Sequence, residues 1–200
     1  MTNAEHAHAA SIRSGVMLEW MTLTWNIVGV VVLASAAYAA RSVALAGFGI
    51  DSLVEIGAST VVLWELNDVA GNRRARGLRL IGVAFLALGA YLTIQGAAVL
   101  LTRFHPHHSP VGIAWTALTA GVMFALASQK ARIGRIMANP VLITEGRVTM
   151  VDGILAVAVL IGLALNAGFG WWWADPVAGF VILFYAFREG AGAIGHARTL

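Results

Sequence analysis

Apolar residues in this chain come in long continuous runs separated by short polar stretches. Six such runs lie at about 17–38, 43–66, 78–101, 110–129, 141–165 and 171–187. A helix that spans hydrocarbon needs about 20 mostly apolar residues, and each run is close to that. The runs do not alternate, as barrel strands of about 10 residues would. With no water to satisfy the backbone inside a bilayer, helices are the remaining solution. The pattern predicts an all-α integral membrane protein, a six-transmembrane-helix bundle over residues 16–190. A flexible tail is expected at 1–15 and a short one at 191–200.

The polar stretches carry an orientation. Arg73, Arg74, Arg76 and Arg79 lie between the second and third runs, and Lys130, Arg132 and Arg135 between the fourth and fifth. Arg13 precedes the first run; Arg188 and Arg198 follow the sixth. The opposite loops hold only Arg41 and Arg103. The positive-inside rule then puts both termini and the two basic loops in the cytoplasm. Asn139-Pro140 and Asp175-Pro176 read as an N-cap followed by proline at the first helical position of the fifth and sixth helices. Trp171, Trp172 and Trp173 suit an aromatic belt at the outer boundary. Gly82, Gly89 and Gly96 form a stripe on the third helix where a neighbour can come close, in the same chain or in a second subunit.

Composition agrees: 59% of residues are hydrophobic, 12% charged, and the mean hydropathy is +0.79. The absence of cysteine removes disulfides, thiolate metal sites and cysteine nucleophiles. A net charge of +3, scattered over loops, gives nucleic acid nothing to bind.

Against this background the buried charges stand out, since a carboxylate at mid-bilayer costs about 3 kcal/mol on insertion scales. Asp51 and Glu55 lie near the centre of the second helix, four apart and so on one face. Without a cation between them, at least one would hold a proton. Asp152 lies near the centre of the fifth helix, with Thr149 and Glu145 on the same face. Glu145 reads either as part of an inner vestibule or as an ordinary acid near a helix start. Asn26, on a face with Glu19 and Thr22, reads either as part of a polar cavity or as an interhelical hydrogen bond. Glu19 and Glu65 sit near cytoplasmic ends, where an acid is cheap. No Lys, Arg or His is expected at the depth of Asp51, Glu55 and Asp152. The outer loop His105-Pro106-His107-His108 reads as a solvated loop or as a place that concentrates metal.

The second helix, with Ser42-Val43-Ala44-Leu45, the pair in Asp51-Ser52-Leu53-Val54-Glu55 and then Gly57-Ala58-Ser59, resembles that of the cation diffusion facilitator (cation efflux) family. Ala174-Asp175-Pro176 resembles the family as well, and the likeness runs over roughly residues 15–190. The resemblance implies a six-helix, usually homodimeric transporter whose second and fifth helices each give two metal ligands at spacing four. Asp51 and Glu55 match one pair and Asp152 half of the other. Val148 stands where the family commonly has His or Asp, and only about a dozen residues follow the sixth helix, where the family usually has a metal-binding domain.

These readings combine into an expectation of a multi-pass protein of the cell's inner (plasma) membrane that is not an enzyme. It would export divalent metal (zinc, manganese or iron(II)) in exchange for protons, with the metal as substrate and no cofactor. The expected metal residues are Asp51, Glu55 and Asp152, with Thr149, Asn26 or water filling the fourth position and Glu145 at the approach. Two alternatives stay open: a non-transporting membrane protein that retains a metal site, and an exporter of small organic cations.

Overall fold

The computed structural model describes residues 3–66, 74–137 and 140–198. Among them are six α-helices and no strand: α1 (Asn3–Ala40), α2 (Val43–Leu66), α3 (Arg74–Thr102), α4 (Pro110–Ile136), α5 (Pro140–Phe169) and α6 (Ala174–Arg198). Two expectations change at the ends. Residues 3–15, expected as a tail, are the first part of α1, where alanine is the best helix former available. The sixth helix does not stop near 187. It continues to Arg198 because its later turns pack on α3 through Gly190 and Ile194.

Among the described residues, four helical stretches are long and apolar enough to cross a membrane: Arg13–Ala40, Phe85–Thr102, Pro110–Ile136 and Glu145–Phe169. The other two helices, α2 with 24 residues and α6 with 25, reach about 36 Å at 1.5 Å per residue. The distribution of side chains is inverted relative to a water-soluble bundle. Glu19, Asn26, Asp51, Glu55, Lys130, Glu145 and Asp152 are buried, while Val31, Ile94, Leu101 and Phe184 are more than 60% exposed. Water would penalise that arrangement on both sides, and a hydrocarbon solvent rewards the outer one. This is a multi-pass membrane protein.

The bundle is built from antiparallel pairs. On α1 and α4, Glu19 meets Lys130 while Trp25 stacks on Trp115, with ring centres 4.9 Å apart, and donates from its indole N–H to Thr119 Oγ1 at 3.2 Å. The buried and exposed positions of 21–40 recur at 111–130 with one difference, Val30 against Ala120. Thus α1 and α4 present the same stripe to the core, and the two stacked tryptophans are its equivalent points, 90 residues apart. The helices α3 and α6 form a second antiparallel pair, and α2 and α5 lie against each other.

The glycine stripe of α3 faces α6 of the same chain. A Cβ added to Gly82 would lie 2.7 Å from Ile194 Cγ1; at Gly89 and Gly96 it would press on Phe187 and Phe180. The stripe is therefore used inside the chain, and the option of a second subunit is set aside.

Helix ends repeat one solution. Arg41 and Arg103 take left-handed backbone, with φ 52° and 50°, after α1 and α3. The next amides, Ser42 and Phe104, donate back to Ala37 and Val99 at 3.2 and 3.1 Å, the six-to-one bond of a Schellman ending. Ser109 caps α4 by accepting from the Gly112 amide at 3.0 Å, with Pro110 next. The α5 helix starts at Pro140 as expected, while Asn139 lies outside the described residues.

Asp175 differs from its expected role. It sits in the first turn of α6, but its carboxylate caps α2 instead. It accepts from the Val43 and Ala44 amides at 3.0 and 3.4 Å and from the Ser42 hydroxyl, while Ser42 Oγ accepts from the Leu45 amide at 3.1 Å. The cause is tertiary: the starts of α2 and α6 lie together, and the free amides of α2 offer a better anion site than a solvated cap.

Candidate cation site

Asp51 and Glu55 project from adjacent turns of α2, and Asp152 projects from α5. All three are buried, at 5%, 3% and 3% exposure. They line one cavity of about 20 Å³, enough for roughly one water or one dehydrated ion. Val148 adds an apolar side chain to this wall, one turn before Asp152. Spacing four on α2 thus faces spacing four on α5, with three carboxylates and one isopropyl group. Phe85 from α3 and Tyr185 from α6 also line the cavity.

The electrostatics are unbalanced. No donor among the described residues meets any of the four oxygens of Glu55 and Asp152 in a well-formed hydrogen bond, although the Asn26 amide lies beside Glu55 and the two carboxyl groups lie beside each other. Buried polar atoms are nearly always paired, so four orphaned carboxylate oxygens on one cavity mark a place for something that donates or is positively charged. The three acids share the cavity without converging on one point: no group of three or more His, Cys, Asp or Glu among the described residues forms a ready-made metal cage.

The other expected site residues divide. Asn26 is buried on α1 beside Glu55, with its amide nitrogen held by the Thr22 carbonyl at 3.1 Å. Thr149 and Glu145 do not reach the cavity wall. Both turn to Lys130, whose Nζ lies 3.1 Å from Thr149 Oγ1, 3.4 Å from Glu145 Oε1 and 3.1 Å from Glu19 Oε2. Glu145 also accepts from Ser59 at 3.4 Å. Glu145 is thus neither a first-turn acid nor part of an open vestibule, since it is a buried member of an ion-pair cluster.

Lys130 is the main correction to the sequence reading, which placed it in a basic loop and expected no base near the acids. It is in α4, 0% exposed, and within electrostatic reach of both Glu55 and Asp152. Among the described residues it is the one buried base, against buried Glu19, Asp51, Glu55, Glu145, Asp152 and, at the other end of the bundle, Asp175. Periodicity held the missed signal: Lys130 falls on the stripe of Met123, Leu126 and Ala127. Glu19, read as a cheap acid near a helix end, is likewise 0% exposed. The side chain of Glu65 lies outside the described residues. The loop histidines are exposed; His105 packs on Trp172 with centroids 5.1 Å apart, and no metal-holding group among the described residues includes them.

A family model for the cation efflux transmembrane domain matches residues 80–194, more than half of the chain. The chain belongs to the cation efflux family. This is a family of transporters rather than enzymes. The matched stretch of this cation efflux chain runs from α3 through most of α6 and contains Val148 and Asp152; Asp51 and Glu55 lie before it. The chain is also similar to transmembrane protein 163 of Xenopus laevis, 20% identical over 175 residues. That similarity covers 85% of this chain but only 62% of the relative, so the chain spans about three fifths of that protein's length.

Proposed function

We propose that this protein exports divalent metal cations across the cell's inner membrane in exchange for protons, with all six helices spanning and both termini cytoplasmic. The observation that carries the reading is the set of four buried oxygens of Glu55 and Asp152, none in a well-formed hydrogen bond among the described residues, on the cavity that Asp51 also lines. A divalent ion entering there would meet three carboxylates from two helices. Small shifts of α2 against α5 would bring them to ligating distance, and movement of the two halves of the bundle would expose the ion to either side. In the absence of the ion, protons would neutralise the trio, because bare like charges in so dry a site repel. An all-oxygen set suits manganese, iron(II) or zinc, with water in the fourth position beside Val148. A second reading, a non-transporting membrane protein that retains a cation site, is favoured by the apolar Val148.

Purified protein in proteoliposomes should show proton flux stimulated by Zn²⁺, Mn²⁺ or Fe²⁺, and Asp51→Ala, Glu55→Gln and Asp152→Asn should each abolish it. If the wild type shows no ion-dependent flux, and Asp51→Ala leaves cellular metal tolerance unchanged, transport is ruled out. Flux driven by quaternary amines but not by metals would make this an organic-cation exporter.

A further inference from the structure

The cluster around Lys130 has the make-up of a cation site with its cation in place. Two carboxylate oxygens and a hydroxyl surround the ammonium at 3.1–3.4 Å, which gives each of its three N–H donors an acceptor. The site comes from three elements: Glu19 on α1, Lys130 on α4, and Glu145 and Thr149 on α5. It is dry, since Glu19, Lys130 and Thr149 are 0% exposed and Glu145 is 4% exposed. It also has oxygen to spare: Glu19 Oε1 is buried and has no partner among the described residues. The pocket adjoins the cavity without being part of it, for Glu55 feels both Glu145 and Lys130 while neither residue lines that cavity.

We infer that this pocket is a second buried cation site whose occupant is the chain's own Lys130 ammonium. The inference rests on the proposed function only in taking Asp51, Glu55 and Asp152 as the cargo site. A tethered cation cannot leave, so it permanently fills the space between Glu19 and Glu145, offsets one of their two charges, and leaves the trio to recruit a mobile ion. Lys130 thereby sets the number of divalent ions held by the buried acids at one. Removing the ammonium while keeping the stem's bulk would vacate a pocket of two carboxylates and a hydroxyl, a donor set suited to a hard divalent ion.

The test is binding stoichiometry. Calorimetric titration of the detergent-purified full chain with Mn²⁺ is expected to give one site per chain for the wild type and two for Lys130→Met. The added site should persist in Asp51→Asn/Lys130→Met and vanish in Glu19→Gln/Lys130→Met/Glu145→Gln. A folded Lys130→Met that binds no more Mn²⁺ than the wild type overturns the inference. Should Lys130→Met be unstable when purified without metal, Mn²⁺ is expected to raise its melting temperature more than that of the triple variant. No such rescue, with the triple variant folded, overturns the inference equally. A wild type that binds neither Mn²⁺ nor, in a parallel titration, Zn²⁺ or Fe²⁺ defeats the cargo site instead, and the comparison of Lys130→Met with the triple variant still reports on this pocket.

Discussion

Replacing Asp175 by alanine tests whether the start of α6 holds α2 in register. In the native structure one carboxylate serves three donors: the Val43 amide at 3.0 Å, the Ala44 amide at 3.4 Å and the Ser42 hydroxyl. Hydrogen bonds to a charged group contribute about 1.5–3 kcal/mol each, and the bond at 3.4 Å belongs at or below the bottom of that range. Part of the loss is recovered, because Ser42 still caps the Leu45 amide. The expected cost of Asp175→Ala is about 3–5 kcal/mol, a large share of a typical total stability of 5–15 kcal/mol. Ser42→Ala should cost about 1–2 kcal/mol on the scale of ordinary cap losses. The two changes share a bond, so the double variant should be less destabilised than their sum by about 1 kcal/mol or more. Reversible unfolding in mixed micelles, followed by helical circular dichroism, measures all three. The consequence reaches the cation site, because Asp51 lies eight residues, about 12 Å, below Val43 on the same helix. Fraying of the first turns of α2 should therefore weaken divalent binding as well. An Asp175→Ala protein within about 0.5 kcal/mol of wild type, or strict additivity with Ser42→Ala, would refute the reasoning.

Val148→Asp is expected to complete the four-residue wall: divalent affinity by calorimetry should rise at least about tenfold, or 1.4 kcal/mol, while the metal-free protein melts at a lower temperature because another buried charge lacks a partner. Thr149→Val removes one acceptor from Lys130 at nearly constant volume. It should cost about 2 kcal/mol in chemical unfolding and leave divalent affinity unchanged, since Thr149 does not line the cavity; a loss of affinity would return Thr149 to the cation site. Gly89→Leu, with a Cβ placed 3.1 Å from Phe187 Cζ, should destabilise by about 1–3 kcal/mol through overpacking between α3 and α6. Cross-linking should show its oligomeric state unchanged, because the stripe is used within the chain.

The bundle was legible in the sequence because a bilayer imposes a one-dimensional rule: a spanning segment must be long, apolar and internally hydrogen-bonded. The runs at 43–66 and 110–129 accordingly coincide with α2 and with most of α4. The same rule exposed Asp51, Glu55 and Asp152, whose depth and face follow from counting along single helices. Where the reading failed, two helices had to be known together. Lys130 reads as a loop residue, because charge counted along the chain cannot show that Glu19 and Glu145, 111 and 15 residues away, converge on it. Along the chain Asp175 reads as the cap of its own helix, since its true partners at Val43 and Ala44 are 132 and 131 residues distant. Glycines on α3 showed that a close neighbour existed but not that it was α6. Sequence by itself determined which stretches leave water; tertiary structure decided which charged residues go with them and which of those meet a counter-charge within the chain. Charge balance in a low-dielectric interior is a property of distances in space, and no spacing along one helix contains it.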